Sequence, residues 1–263
     1  MSYRNLLVHV EPTEFGRERL RLALALARVF ESRLIGIGAR ALSPMLDPIG
    51  VSIVKLKEDV ESGLAGAEVL FREETAPLGG SRRVWHAHVG FPTEVLLRHA
   101  AAADLIIVNC NVEGGPEETQ AGTADLMMSS GLPVLATPLR AKFDLKRILI
   151  GWKDTREARR AVGDALPFIR RAAKVHLLSF DSDAAGMSDV VTRLRMHDVT
   201  VEAETRSPTL DSVAEDILAA ADTLDAGLIV VGGYGHSRLH EWALGGVTQG
   251  LLTHSRRPLL FSH

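Results

Sequence analysis

Short apolar runs alternating with stretches of helical periodicity fill this chain from Leu6 to about Thr137, and the same alternation starts afresh at Arg147. Leu6-Leu7-Val8-His9-Val10 has the make-up of a buried strand. Glu14 to Phe30 follows, with Leu20, Leu24 and Ala27 at helical spacing, and Arg33 to Ala39 is strand-like again. Strand, helix and strand in that order imply a parallel βαβ unit with a right-handed crossover. The pattern continues through a loop at Ala41 to Gly50, a helix over Ile53 to Thr75 with Gly63 and Gly66 as weak spots, and a strand over Ser81 to His88. Pro92 suits the first turn of the next helix. Ala103 to Val108, Thr123 to Ser130 and Pro133 to Ala136 then give strand, helix and strand.

The second copy repeats these parts. Arg147 to Ile150, Lys174 to Phe180, Val199 to Thr205 and Leu228 to Val231 read as strands, and Thr155 to Arg171, Met187 to Met196 and Leu210 to Thr223 as helices. A repeat of this length points to two copies of one domain. The expected architecture is α/β: two tandem doubly wound domains, 1–140 and 146–263, each a five-stranded, mostly parallel sheet flanked by helices, joined by the polar stretch Leu139 to Lys146.

The densest glycine cluster stands where a strand should turn into a helix. Leu228-Ile229-Val230-Val231 runs into Gly232-Gly233-Tyr234-Gly235, then His236 to Leu244, then Gly245-Gly246-Val247-Thr248. At such a turn glycine permits positive φ and close approach of backbone N–H groups to an anion, and a helix N-terminus adds about half a positive charge. The same glycines are also what a tight strand-to-helix loop requires for its turns alone.

The spacing G-x2-G-x9-G, read as Gly232, Gly235 and Gly245, resembles the nucleotide-phosphate motif of the universal stress protein family. In that family the last glycine is usually followed by a hydroxyl residue, an apolar residue and a second hydroxyl. Here Gly246 stands at the first hydroxyl position and Thr248 keeps the second. His236-Ser237-Arg238-Leu239 and the closing Arg257-Pro258-Leu259-Leu260-Phe261 also resemble the family's flanks. The resemblance implies a Rossmann-like fold of the adenine-nucleotide alpha hydrolase type. The ligand it implies is an adenine nucleotide, ATP first and ADP or AMP in its place, with Mg²⁺ as companion ion, and the role is that of a stress-related sensor or regulator. It further implies that the closing strands of the two copies, Pro133 to Thr137 and Pro258 to Ser262, pair within one chain as an internal pseudo-dimer, with a homodimer of whole chains left open.

Carried back into the first copy, the motif decays. Asn109 stands opposite Gly232, Val112 opposite Gly235, Gly122 opposite Gly245 and Thr123 opposite Gly246, and a valine Cβ is costly where close approach and positive φ are needed. The first copy is therefore expected to have lost phosphate binding or to bind differently. Ligands of doubly wound sheets sit beyond the C-terminal ends of the first and fourth strands. The family usually carries Asp-Gly-Ser after the first strand. The first copy has Glu11-Pro12-Thr13 there and the second Lys153-Asp154-Thr155. The expected binding set is Gly232, Gly233, Gly235, His236, Arg238, Gly245, Gly246, Val247 and Thr248 with Lys153 and Asp154. Lys153, His236 and Arg238 offer positive charge to phosphate oxygens, or stand in solvent as such residues commonly do.

Other features carry less. A formal net charge of −3 without blocks of like charge gives no electrostatic case for nucleic acid or anionic membrane as partner. The single cysteine, Cys110, follows an apolar strand and reads as a small buried residue. No signal-peptide core or membrane-length apolar run is recognisable, so the expected location is the cytoplasm. His86 and His88 face the same way on their strand, but no third ligand stands at a recognisable interval, and the reading is against a metal site. Gly36-Ile37-Gly38 imitates a dinucleotide fingerprint without a following helix start. No motif for phosphoryl or nucleotidyl transfer is present. A binding protein is expected ahead of a non-nucleotide interaction module, and a slow ATPase last.

Overall fold

The structure, a computed structural model, describes residues 2–42, 53–110, 118–141, 143–180, 185–209, 211–233 and 246–263. It divides into two compact units, Ser2–Leu132 and Pro133–His263. The first contains β1 (Asn5–His9), α1 (Glu14–Val29), β2 (Arg33–Arg40), α2 (Ile53–Glu74), β3 (Arg83–Val89), α3 (Pro92–His99), β4 (Leu105–Asn109) and α4 (Thr123–Ser129). Its strands lie in the order β3-β2-β1-β4, and the pairings of β1 with β2 and β4 and of β2 with β3 are parallel. Leu6, Leu7 and Val8 of β1 and Leu105 to Val108 of β4 are wholly buried. Each such aliphatic side chain stabilises the fold by about 1.5–3 kcal/mol.

The second unit contains β5 (Val134–Thr137), β6 (Arg147–Trp152), α5 (Arg156–Asp164), α6 (Leu166–Ile169), β7 (Lys174–Ser179), α7 (Ala185–Arg195), β8 (Val201–Thr205), α8 (Val213–Thr223), β9 (Leu228–Gly232), α9 (Gly246–His254) and β10 (Leu259–Ser262). The order is β5-β10-β9-β6-β7-β8. β10, β9, β6, β7 and β8 run parallel, and β5 runs antiparallel to β10 with Leu260 opposite Leu135. The strand that closes the first copy of the repeat thus packs in the second unit, and the division falls at Leu132/Pro133 instead of after residue 140.

Both copies start their first helix alike. Thr13 caps α1, its hydroxyl accepting from the Gly16 amide at 3.0 Å, and Thr155 caps α5, accepting from the Ala158 amide at 3.2 Å. Such a cap contributes about 1 kcal/mol. The single helix expected over Thr155 to Arg171 is broken at Ala165 into α5 and α6. Pro167 is the reason: it lacks the N–H that would bond back to Gly163, and its ring would crowd that carbonyl.

Candidate functional site

In each unit the first and fourth strands of the repeat are neighbours, so the residues that follow them meet at one edge of the sheet. In the second unit these are β6 and β9, with Gly151 opposite Val231. Lys153 and Asp154 leave β6, and Gly232 and Gly233 stand at the end of β9. Of the expected set, the structure thus gathers Lys153, Asp154, Gly232 and Gly233 at one sheet edge. Gly246, Val247 and Thr248 form the start of α9. Tyr234 to Gly245, with Gly235, His236, Arg238 and Gly245 among them, lie outside the described residues.

Two of the glycines have explicit packing reasons. A Cβ on Gly232 would lie 2.5 Å from the Ala158 nitrogen, so this glycine lets the first turn of α5 rest directly on β9. The Gly233 amide donates to the Ser262 carbonyl at 2.8 Å, prolonging the ladder with β10. It is already engaged, which removes it from the run of phosphate-directed amides expected of the motif. Gly246 differs from both. It is exposed, and among the described residues nothing lies within 4 Å of the place a Cβ would take. Val247 is also exposed, and Thr248 is buried.

Two carboxylates beside this edge, Asp154 and Glu157, are ion-paired. Asp154 accepts from Arg159 Nε at 2.8 Å and Nη2 at 2.7 Å, and its carboxyl lies where a Cβ on Gly186 would be, at the start of α7. It therefore stands against the start of α7 as an ion-paired group. Lys153 is exposed. Glu157, in the first turn of α5, was not singled out from the sequence. It is largely buried with Arg156 Nε at 3.0 Å. Burial raises its pKa, but hydrogen bonds from its own amide and the Thr155 hydroxyl, with Arg156, outweigh that and hold the carboxyl below its usual value.

The same edge of the first unit is built differently. Arg19 of α1 is fully buried and sends its guanidinium back over the end of β1, where Nε donates to the His9 carbonyl at 2.8 Å and Nη2 lies 3.4 Å from Glu11 Oε1. Asn109, at the end of β4, donates to the same Glu11 oxygen at 3.1 Å. His9 is buried as well, with no partner for Nε2 among the described residues. Burial, then the Arg19 charge, lower its pKa to about 3 against a hydrogen bond to Ala39 that raises it. At the head of α4, the Gly122 amide donates to Thr93 Oγ1 at 2.8 Å and Thr123 Oγ1 donates to the Asn109 carbonyl at 2.8 Å. An Asp125 oxygen sits 2.8 Å from where a Cβ on Gly122 would be, so a carboxylate already flanks this helix start.

Setting the two caps Thr13 and Thr155 against each other places Gly151 opposite His9, Lys153 opposite Glu11 and Ala161 opposite Arg19. Gly232 stands opposite Asn109 and Thr248 opposite Asp125. None of His9, Glu11, Arg19, Asn109 and Asp125 thus has its own residue type at the counterpart position of the second unit.

Three other sequence features are explained elsewhere. Gly36 and Gly38 make room for the Phe71 ring and the Trp85 indole, which would lie 2.5 Å and 2.7 Å from added Cβ atoms, so this pair serves packing. Cys110 is buried and its thiol is pushed up to about 12 by that burial, leaving no thiolate at neutral pH. His86 and His88 are joined by His99 from α3, a residue the sequence reading missed. Among the described residues no group of three or more His, Cys, Asp or Glu converges as a ready metal cage.

The fold and this edge define a doubly wound α/β protein whose second unit turns from its fourth strand into a helix through a glycine-rich segment. Residues 191–263, which carry that segment, match the universal stress protein family. No curated protein matches the chain. Among solved structures, a universal stress protein from Archaeoglobus fulgidus is similar at 16% identity, with 98% of this chain and 97% of that one covered and a TM-score of 0.71. A Pseudomonas aeruginosa protein assigned to the same family is 18% identical over 99% of this chain and 93% of its own, with a TM-score of 0.59. A second Pseudomonas aeruginosa protein, functionally unknown, is 16% identical over 99% and 92%, with a TM-score of 0.58. At these identities the likeness is one of fold, and it extends over nearly the whole length of each chain. No helix among the described residues is long and apolar enough to cross a membrane.

Proposed function

We propose that the unit Pro133–His263 binds an adenine nucleotide at the C-terminal edge of β6 and β9, and that the protein is a cytoplasmic, stress-related sensor or regulator. ATP is the first expectation, with ADP or AMP in its place. The observation that carries this reading is the head of α9. Gly246 is exposed and no described residue lies within 4 Å of its Cβ position, whereas at the head of α4 the Gly122 amide is engaged by Thr93 and Asp125 stands beside it. The first amides of a helix have no partner within it and, with the helix dipole, favour an anion. The amides of Gly246, Val247 and Thr248 would hold phosphate oxygens, with Gly235 and Gly245 of the motif. Lys153, His236 and Arg238 would add positive charge, and Mg²⁺ would accompany the phosphates. Gly232 serves by bringing α5 close. Gly233, its amide engaged, contributes shape, and Asp154 positions Arg159.

The engaged Gly233 amide favours a second reading, an interaction module of the same fold with no nucleotide. Titration of nucleotide-free protein with ATP separates the two. The wild type is expected to bind saturably, and Gly246→Asp, which puts a carboxylate among the first amides of α9, to bind at least about tenfold more weakly, about 1.4 kcal/mol. Nucleotide released from the denatured wild type would add support. No nucleotide in the extract and flat titrations for both forms would leave the interaction module.

A further inference from the structure

The first unit holds a cluster that the nucleotide reading does not use. His86 and His88 of β3 project towards α3, where His99 occupies the last turn, and all three rings are half-buried. The His88 and His99 Nε2 atoms lie 3.0 Å apart, close enough that one ring must donate its proton to the other. His86 stacks on His99 with centroids 4.7 Å apart and planes at 29°, holding the His99 ring in place.

We propose that His88 and His99 form a two-nitrogen site for a borderline divalent transition ion, Ni²⁺, Cu²⁺ or Zn²⁺, with His86 as a positioning residue. Metal–imidazole bonds are about 2.0–2.1 Å, so two nitrogens on one ion stand about 2.9 Å apart at a right angle and about 3.4 Å apart at the tetrahedral angle. The observed 3.0 Å lies between these and nearer the right angle, which suits neighbouring positions on Ni²⁺ or Cu²⁺. The ion takes the place of the shared proton: the ring that carries it at Nε2 moves it to Nδ1, and both Nε2 lone pairs then face one point. Water fills the remaining positions. The nearest opposing charge is Arg98, beside His99 and acting on both rings. An ion here would join β3, the outer strand of this unit's β3-β2-β1-β4 order, to α3.

The test uses the untagged full chain freed of metal and nucleotide, titrated separately with Ni²⁺, Cu²⁺ and Zn²⁺. One ion per chain is expected to bind at this cluster in the micromolar range, with Cu²⁺ tightest. His88→Gln and His99→Gln should each weaken binding at least about tenfold. His86→Ala should weaken it less, Arg98→Gln should tighten it, and His254→Gln, on α9, should leave it unchanged. Electron paramagnetic resonance of the Cu²⁺-loaded wild type should show coupling to at least two nitrogens, a readout independent of any variant's folding. No saturation by about 1 mM ion, affinities equal in the wild type and both glutamine variants, or coupling to fewer than two nitrogens would overturn the proposal.

Discussion

The two units present the same strand edge and treat it in opposite ways. At the end of β1 and β4 the first unit fills the edge with its own chemistry. Arg19 crosses from α1 to Glu11, Asn109 joins the same carboxylate oxygen, and His9 is sealed beneath. In the second unit glycine or alanine stands at three of these four positions, α5 settles onto Gly232, and no described residue lies within 4 Å of a Cβ on Gly246 at the head of α9. The positive charge at this edge, Arg19, is already paired with Glu11, which Asn109 also bonds. The difference teaches that two copies of one fold can treat the same edge in opposite ways, one filling it with paired side chains and the other keeping small residues there.

The largest expected effect comes from opening the first unit's network. Glu11→Ala leaves the buried Arg19 guanidinium without its carboxylate, and breaking a buried pair in this way costs about 3–5 kcal/mol. The counterpart change, Lys153→Ala, removes an exposed side chain and should fall within about 0.5 kcal/mol of wild type. Urea unfolding of both variants measures the contrast, and equal effects would contradict it.

Acid should act through the first unit for the same reason. His9 stays neutral in the folded chain down to about pH 3, whereas the unfolded chain takes up a proton near the ordinary value of about 6.5. Between those limits the unfolded state binds the extra proton, so stability is intact above about pH 6.5 and falls with decreasing pH, by at most about 1.4 kcal/mol per pH unit from this residue. His9→Leu should flatten the profile from pH 6 to 4, as read from denaturant midpoints.

A smaller effect is expected in the second unit. Gly232→Ala forces a methyl against the backbone of Ala158 and should cost about 1–3 kcal/mol, whereas Asn109→Ala in the first unit forfeits one hydrogen bond to a carboxylate, about 1.5 kcal/mol. Smallest are the caps, where Thr13→Ala and Thr155→Ala should each cost about 1 kcal/mol and by similar amounts. A marked difference between these two would mean that the copies are less alike at their helix starts than their shared geometry indicates.

Much of the fold was legible because buried strands and amphipathic helices leave periodic traces. The helix expected over Glu14 to Phe30 is α1 at Glu14–Val29, and the strand expected over Leu228 to Val231 is β9 at Leu228–Gly232. The break before Pro167 was missed because the apolar spacing runs on through it. The pairing of the closing strands was expected, but the division of the chain ahead of β5 was not, since strand allegiance depends on contacts that no local pattern encodes.

The candidate site was legible only where backbone freedom is written into the sequence, at its glycines. The same letter gave no hint that Gly232 serves helix packing, that Gly233 spends its amide on Ser262, or that Gly246 is exposed. Arg19 carries no mark in the sequence that sets it apart from the other arginines of its helix, and its burial against the His9 carbonyl shows only in the fold. His99 was overlooked for a like reason, because a turn and a helix separate it from His88 and only folding brings their nitrogens together.

The central claim is that one strand edge of this duplicated protein takes a nucleotide and the other has closed itself. Its most direct test is the stoichiometry of ATP binding to the nucleotide-free full chain by equilibrium dialysis, repeated with Gly246→Asp. One nucleotide per chain, lost in the variant, is the expected result. Two per chain, none, or one that the variant retains in full would contradict it.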